Sequence, residues 1–134
     1  MIFLVKNEPF RFSVVFQVGP YDKDAVVSFL EEHGFDTDIV NGMPEEVESE
    51  FVNGNNWRPE GFASSFVWIH KIPETREEEG TMVHELDHAL CWALSQRSIH
   101  DEECKAYLLD YFYSTVMTNI DNYKNDNTNI QNIN

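Results

Sequence analysis

His84 and His88 stand four residues apart, with Glu85 directly after the first, in the segment His84-Glu85-Leu86-Asp87-His88. On an α-helix this spacing puts both imidazoles on one face, one turn apart, so that both can reach a single ion about 2.0–2.1 Å from each nitrogen. Glu85 is displaced around the helix axis, near enough to a water at the metal to take its proton without ligating the ion, which is the position of a general base. Two histidines fill half of a tetrahedron. The helical pattern gives way after Leu94 and a second amphipathic run begins at Asp101. A short loop between two helices favours an antiparallel hairpin, which returns the first turn of the second helix to the end of the first. Glu102 and Glu103 both lie on that turn, and Glu103 is preferred as the third donor because Ala106, three residues on, leaves room for a close helix crossing.

The first of these helices carries Met82, Val83, Leu86, Ala89, Leu90, Trp92, Ala93 and Leu94, which leaves little polar surface and reads as the centre of a core. Ionisable groups on such a helix are costly to bury alone, and a dication is a partner for them. The competing reading makes His84 and His88 hydrogen-bonded core residues. On the second helix Asp110 shares the stripe of Glu103 and is a candidate to accept a hydrogen bond from a ligand histidine. Tyr107 is a candidate to stabilise an oxyanion, with packing as its plainer role. His70 and His100 stay outside the catalytic set. Cys91 and Cys104, one on each helix, are expected to be reduced and buried.

The elements that must position these residues are legible in part. An apolar run from Met1 to Val5 precedes an interruption at Lys6 to Pro9, and Phe10 to Val18 then alternates as a half-buried strand ended by Gly19-Pro20. Asp22 is placed to cap a helix carrying Ala25, Val26, Phe29 and Leu30, which Gly34 closes. Between Asp36 and Asn56 periodicity fails: Asn41-Gly42 is a turn, Pro44 to Glu50 is a short acidic helix or a solvated loop, and Val52 to Asn56 reads as another turn. A second strand is expected over Gly61 to Ile72, with Trp68 in the core, and Pro73 stops it. The histidine helix starts either at a capping box, Thr75-Arg76-Glu77-Glu78, or at Thr81, with Gly80 between them. The second helix is expected to run to about Thr118. The Asn-rich remainder reads as disordered, so the division is a domain over 1–118 and a tail over 119–134.

The segments HELDH and EECKAY resemble the minimal zincin metallopeptidases, in which H-E-x-x-H on one helix is completed by a Glu in an E-x-x-A segment of the next. The similarity extends to small zincin-like proteins of phages and prophages and covers roughly residues 61–116. It implies an α+β zincin-like minimal domain, a small β-sheet packed with the H-E-x-x-H helix and a following antiparallel helix. It also implies Zn²⁺ held by His84, His88 and Glu103, with Glu85 catalytic. In zincins the strand before that helix commonly forms the sheet edge beside the metal. Larger members that use a Glu ligand place an Asp four residues after it; here that position is Tyr107.

The 134 residues suit one domain whose core forms without a structural metal. The net charge of −15 repels a phosphate backbone, which argues against nucleic acid as a partner. No apolar run approaches the roughly 18 residues of a membrane span, and Met1 to Phe10 has no signal-peptide pattern, so a cytoplasmic location without membrane attachment is expected. The function expected is zinc-dependent hydrolysis of a peptide or protein substrate, with dependence on a protein partner that presents it as one way for so small a domain to select. Two alternatives belong to other classes: a metal-binding but non-hydrolytic factor, for instance in phage assembly, and an acidic decoy that occupies a basic protein surface.

Overall fold

The computed structural model describes residues 1–47, 54–57 and 64–133. Its elements in order are strand β1 (Ile2–Asn7), strand β2 (Phe12–Val18), helix α1 (Lys23–Glu32), a 3-10 turn (Thr37–Val40), strands β3 (Gly54–Trp57) and β4 (Ser64–Ile69), and helices α2 (Arg76–Gln96) and α3 (Glu102–Ile133). The class is α+β. The four strands form one mixed sheet in the order β1-β2-β4-β3: β1 with β2 and β3 with β4 are antiparallel, and β2 with β4 is parallel. A parallel pair needs a long crossover, and here it contains α1 and the 3-10 turn. Ser13 and Ser64 register the pair with an Oγ–Oγ hydrogen bond of 2.7 Å.

That crossover explains why β2 is buried on both faces rather than one. Val14, Phe16 and Val18 join the α2 and α3 side, with Met82, Leu86, Leu90, Phe112, Val116 and Ile120. Val15 packs on the other side with Val26, Leu30, Ile39, Val40 and Met43 from α1 and the following turn. Gln17, which simple alternation assigns to a wetted face, is buried at the strand end: its Nε2 donates to the Asp22 carbonyl at 2.9 Å and its Oε1 accepts from the Asp22 N–H at 3.1 Å. Asp22 then caps α1 by accepting from the Ala25 N–H at 3.0 Å. Gly34 follows the helix at φ +73°, the left-handed conformation that a helix terminus needs.

Three expectations from the sequence change. The strand expected over Gly61 to Ile72 is β4 over Ser64–Ile69, with 61–63 outside the described residues, and it lies inside the sheet rather than at its edge. The edge on that side is β3, in the stretch that reads as a turn, while the acidic stretch of residues 48–50 falls outside the described residues. The apolar run after Met1 is the opposite edge strand, β1.

The third change concerns the tail. The sequence suggests disorder from residue 119, yet α3 continues to Ile133 and buries Ile120 completely. Leu108, Phe112, Val116 and Ile120 make one stripe at intervals of four, all in the main core, so the packed domain extends to at least Ile120 rather than ending at 118. Asn-rich composition hid the last member of that stripe. Among the described residues, no helix is long and apolar enough to cross a membrane.

Candidate metal centre

The start of α2 is fixed by the capping box, not by Thr81. Thr75 Oγ1 accepts from the Glu78 N–H at 3.2 Å, while Glu78 Oε2 accepts from the N–H groups of Thr75 at 3.1 Å and Glu74 at 2.8 Å. Gly80 is carried inside the helix. Glu78 also pairs with Lys71, which lies just beyond β4. The Lys71 hydrogen bond, followed by that of the Glu74 N–H, pushes the Glu78 carboxyl down to about 2. A carboxyl with a lowered folded pKa stabilises the fold above its unfolded pKa of about 4.3 and loses that contribution as pH falls toward 2. Glu78→Gln keeps the capping geometry but not the charge, so its melting temperature is expected to fall less than that of wild type between pH 5 and pH 2.5. Parallel falls in the two proteins would remove Glu78 from the acid response.

From this fixed start, the 100° step of the helix decides which side chains face which neighbour. Met82, Leu86, Ala89, Leu90 and Ala93 bury one side against the sheet. His84 and His88 fall about 40° apart on the opposite, exposed side. The helix is thus less completely enclosed than its composition suggests, and of the three motif residues only Glu85 is buried, at 9% exposure.

The two imidazoles converge. Their Nε2 atoms are 3.1 Å apart and their rings are perpendicular, with centroids 4.6 Å apart. One ring N–H can donate to the facing ring nitrogen across this contact, the roles being set by the tautomers. The contact also suits a shared ion: two nitrogens about 2.05 Å from one metal at the tetrahedral angle stand about 3.3–3.4 Å from each other. Seating such an ion would need a separation larger by a few tenths of an ångström.

Glu85 is held from the sheet edge. Asn56, on β3, donates from Nδ2 to Glu85 Oε2 at 2.8 Å. Two residues earlier, Gly54 lies against the same helix, where an added Cβ would come within 3.1 Å of Glu85 Cγ and of the Trp68 carbonyl oxygen, and within 3.2 Å of Thr81 Cγ2. Alternation then turns Trp57 to the other side of the sheet, 5.4 Å from the Tyr21 ring. The sequence reading missed Asn56 and Gly54 because Gly-Asn-Asn-Trp has the composition of a turn, and its pairing with β4 is a non-local fact.

Glu103 is not brought to the histidines. It is exposed near the start of α3, and among the described residues no group of three His, Cys, Asp or Glu side chains is arranged to hold a metal. Lys105 Nζ pairs with Asp87 Oδ1 at 3.0 Å, and Val83 shares an apolar groove with Ala106, Leu109, Asp110 and Tyr113. Counting antiparallel from the Lys105–Asp87 pair sets His88 about level with Cys104 and His84 about level with Leu108, so Glu103 stands near the level of His88 along the hairpin. Glu102 is exposed on that same turn, and Asp110, although exposed at the groove beside Val83, does not complete the group. Tyr107 is 59% exposed, so the packing role expected for it does not hold.

A cavity of about 320 Å³ lies along the start of α2, lined by Ile69, His70, Lys71, Thr75, Glu77, Glu78 and Thr81, and does not include the histidine pair. His70 belongs to it, whereas His100 is exposed in the interhelical loop. Both cysteines are free thiols, but Cys91 is exposed and Cys104 half-buried rather than buried. Cys91 Sγ lies 3.8 Å from Asp87 Oδ2, and Asp87 first and Cys91 second raise the Lys105 pKa above its ordinary value. No protein-family model matches the chain, and neither curated proteins nor solved structures include a significant match to it.

Proposed function

We propose that this chain is a small zinc-dependent peptidase of the zincin type, acting on a peptide or protein substrate. One observation carries the reading: the His84 and His88 Nε2 atoms meet at 3.1 Å on the helix that also holds the buried carboxylate of Glu85. His84 and His88 would hold Zn²⁺, with Glu103 of α3 as the third donor. When bound, the ion supplies a Lewis acid for the substrate carbonyl and brings the pKa of water to about 7. Glu85 accepts the proton of the attacking water and passes it to the departing amine. The sheet, through β3 and β4, covers the buried side of α2, so the Glu85 carboxylate works at the boundary between core and solvent.

The non-hydrolytic reading draws on a different observation, the exposed position of Glu103 away from the pair. Zinc titration of the purified chain separates the two at the level of the metal. Wild type is expected to take up one zinc, and His84→Ala and His88→Ala are each expected to lower affinity at least tenfold. Glu103→Ala is expected to match them, and Glu102→Ala and Asp110→Ala are expected to stay near wild type. Loss in Asp110→Ala with full affinity in Glu103→Ala would transfer the third position to Asp110, which lies at the groove beside Val83. Wild type without zinc affinity would end the metallopeptidase proposal.

A further inference from the structure

We infer that Asn56 is the positioning residue of Glu85: from the sheet edge it fixes one carboxylate oxygen and leaves the other for proton transfer. The inference rests on the peptidase reading for its catalytic meaning, but the clamp itself stands on geometry. Asn56 Nδ2 donates to Glu85 Oε2 at 2.8 Å, a charge-assisted bond at the border of the core. That bond dictates the orientation of the amide, because an ionised carboxylate only accepts. The consequence is that Asn56 Oδ1 is buried with no hydrogen-bond partner among the described residues. A buried carbonyl left in this state is a cost to the fold, and a side chain selected for stability alone would avoid it.

The neighbouring backbone supports the same contact. The fit of Gly54 against Glu85 Cγ, Thr81 Cγ2 and the Trp68 carbonyl is tight enough that a Cβ would need these neighbours to give by a few tenths of an ångström. Glycine at this position lets β3 approach α2 closely enough for a side chain as short as asparagine to reach the carboxylate. A four-residue edge strand is thereby tied to the motif helix at two places, through the Gly54 backbone and through the Asn56 amide. Glu85 has several rotamers open to it on a bare helix face. Between Asn56 and the Gly54 backbone it is restricted to those that keep Oε2 on the amide, which pre-organises the base before substrate arrives.

The test uses the full chain in wild type, Asn56→Ala, Asn56→Asp, Glu85→Gln, Glu85→Ala and the Asn56→Ala/Glu85→Gln double variant, each checked for folding by its melting curve and for zinc content. Hydrolysis is measured on a peptide taken from a degenerate library by its cleavage in wild type. Asn56→Ala is expected to keep zinc and KM and to lower kcat roughly 10- to 100-fold. Asn56→Asp, which sets a second carboxylate against the first, is expected to lose as much or more. In the Glu85→Gln background the Asn56→Ala change is expected to have almost no further effect, since a positioning residue has nothing left to position. A loss that adds in full, or a KM effect without a kcat effect, would overturn the assignment.

A second readout needs no activity. The Asn56 side-chain amide protons, followed by ¹⁵N–¹H NMR, are expected to exchange slowly in wild type and to lose that protection in Glu85→Ala. Protection unchanged in Glu85→Ala would overturn the clamp. If wild type cleaves no peptide while the amide protons lose protection in Glu85→Ala, the hydrolytic reading fails and the clamp stands.

Discussion

Glu85→Gln is expected to leave zinc content and melting temperature close to wild type and to lower hydrolysis by about 10²–10⁴-fold. The amide is nearly isosteric with the carboxylate, and its carbonyl oxygen can still accept from Asn56 Nδ2, the bond that holds Glu85 Oε2 at 2.8 Å in the native chain. The substitution therefore removes basicity while conserving shape and the contact to β3. Because His84 and His88 lie on the exposed side of α2, their approach at 3.1 Å does not depend on the charge of Glu85. Undiminished cleavage in Glu85→Gln would sink the mechanism, because another base would then carry it. A zinc-loaded wild type that cleaves no member of a degenerate peptide library would favour the non-hydrolytic alternative.

The second large effect is expected at the far end of the core. A chain ended at Asn119 should melt well below one ended at Lys124, although the two differ by only five residues. Ile120 is fully buried with Phe112 and Val116, and removing a buried isoleucine side chain commonly costs about 2–5 kcal/mol. For a domain of this size that is a fall of roughly 10 °C in Tm. Residues 121–126 are exposed, so their loss alone removes little apolar contact. Equal melting temperatures for the two truncations would show that Ile120 contributes no net stability, and the domain boundary would return to residue 118.

What could be read from the sequence was whatever local chemistry determines. Asp22 announced the start of α1, and Thr75 was one of two starts legible for α2, because a cap is a bond between neighbours three residues apart. The His84 and His88 pair was legible for the same reason: helical spacing alone sets their convergence. The rest depended on partners distant in the chain. β3 has almost none of the residues that favour strands, and exists as a strand through its pairing with Phe66 to Ile69. β4 looked like an edge because nothing local shows that Gly54–Trp57 folds back along it. Loop length suggested a hairpin but not which side chains on the first turn of its second helix point inward, and Glu103 is exposed at the start of α3.

The parallel pairing of β2 with β4 sets an order of assembly. Ser13 and Ser64 meet across 51 residues, and closing that loop costs entropy before the sheet gains anything from it. The single core on the α2 side then draws on residues from Phe3 to Ile120. During synthesis, a nascent chain stopped at residue 100 already contains both histidines, Glu85, Asn56 and every strand, yet lacks Leu108, Phe112, Val116 and Ile120. Its α2 has a sheet on one flank and open solvent where α3 will lie. The histidine pair is thus synthesised before the residues of α3 that complete the core against its helix, and on this topology the arrival of α3 is what closes that side of α2.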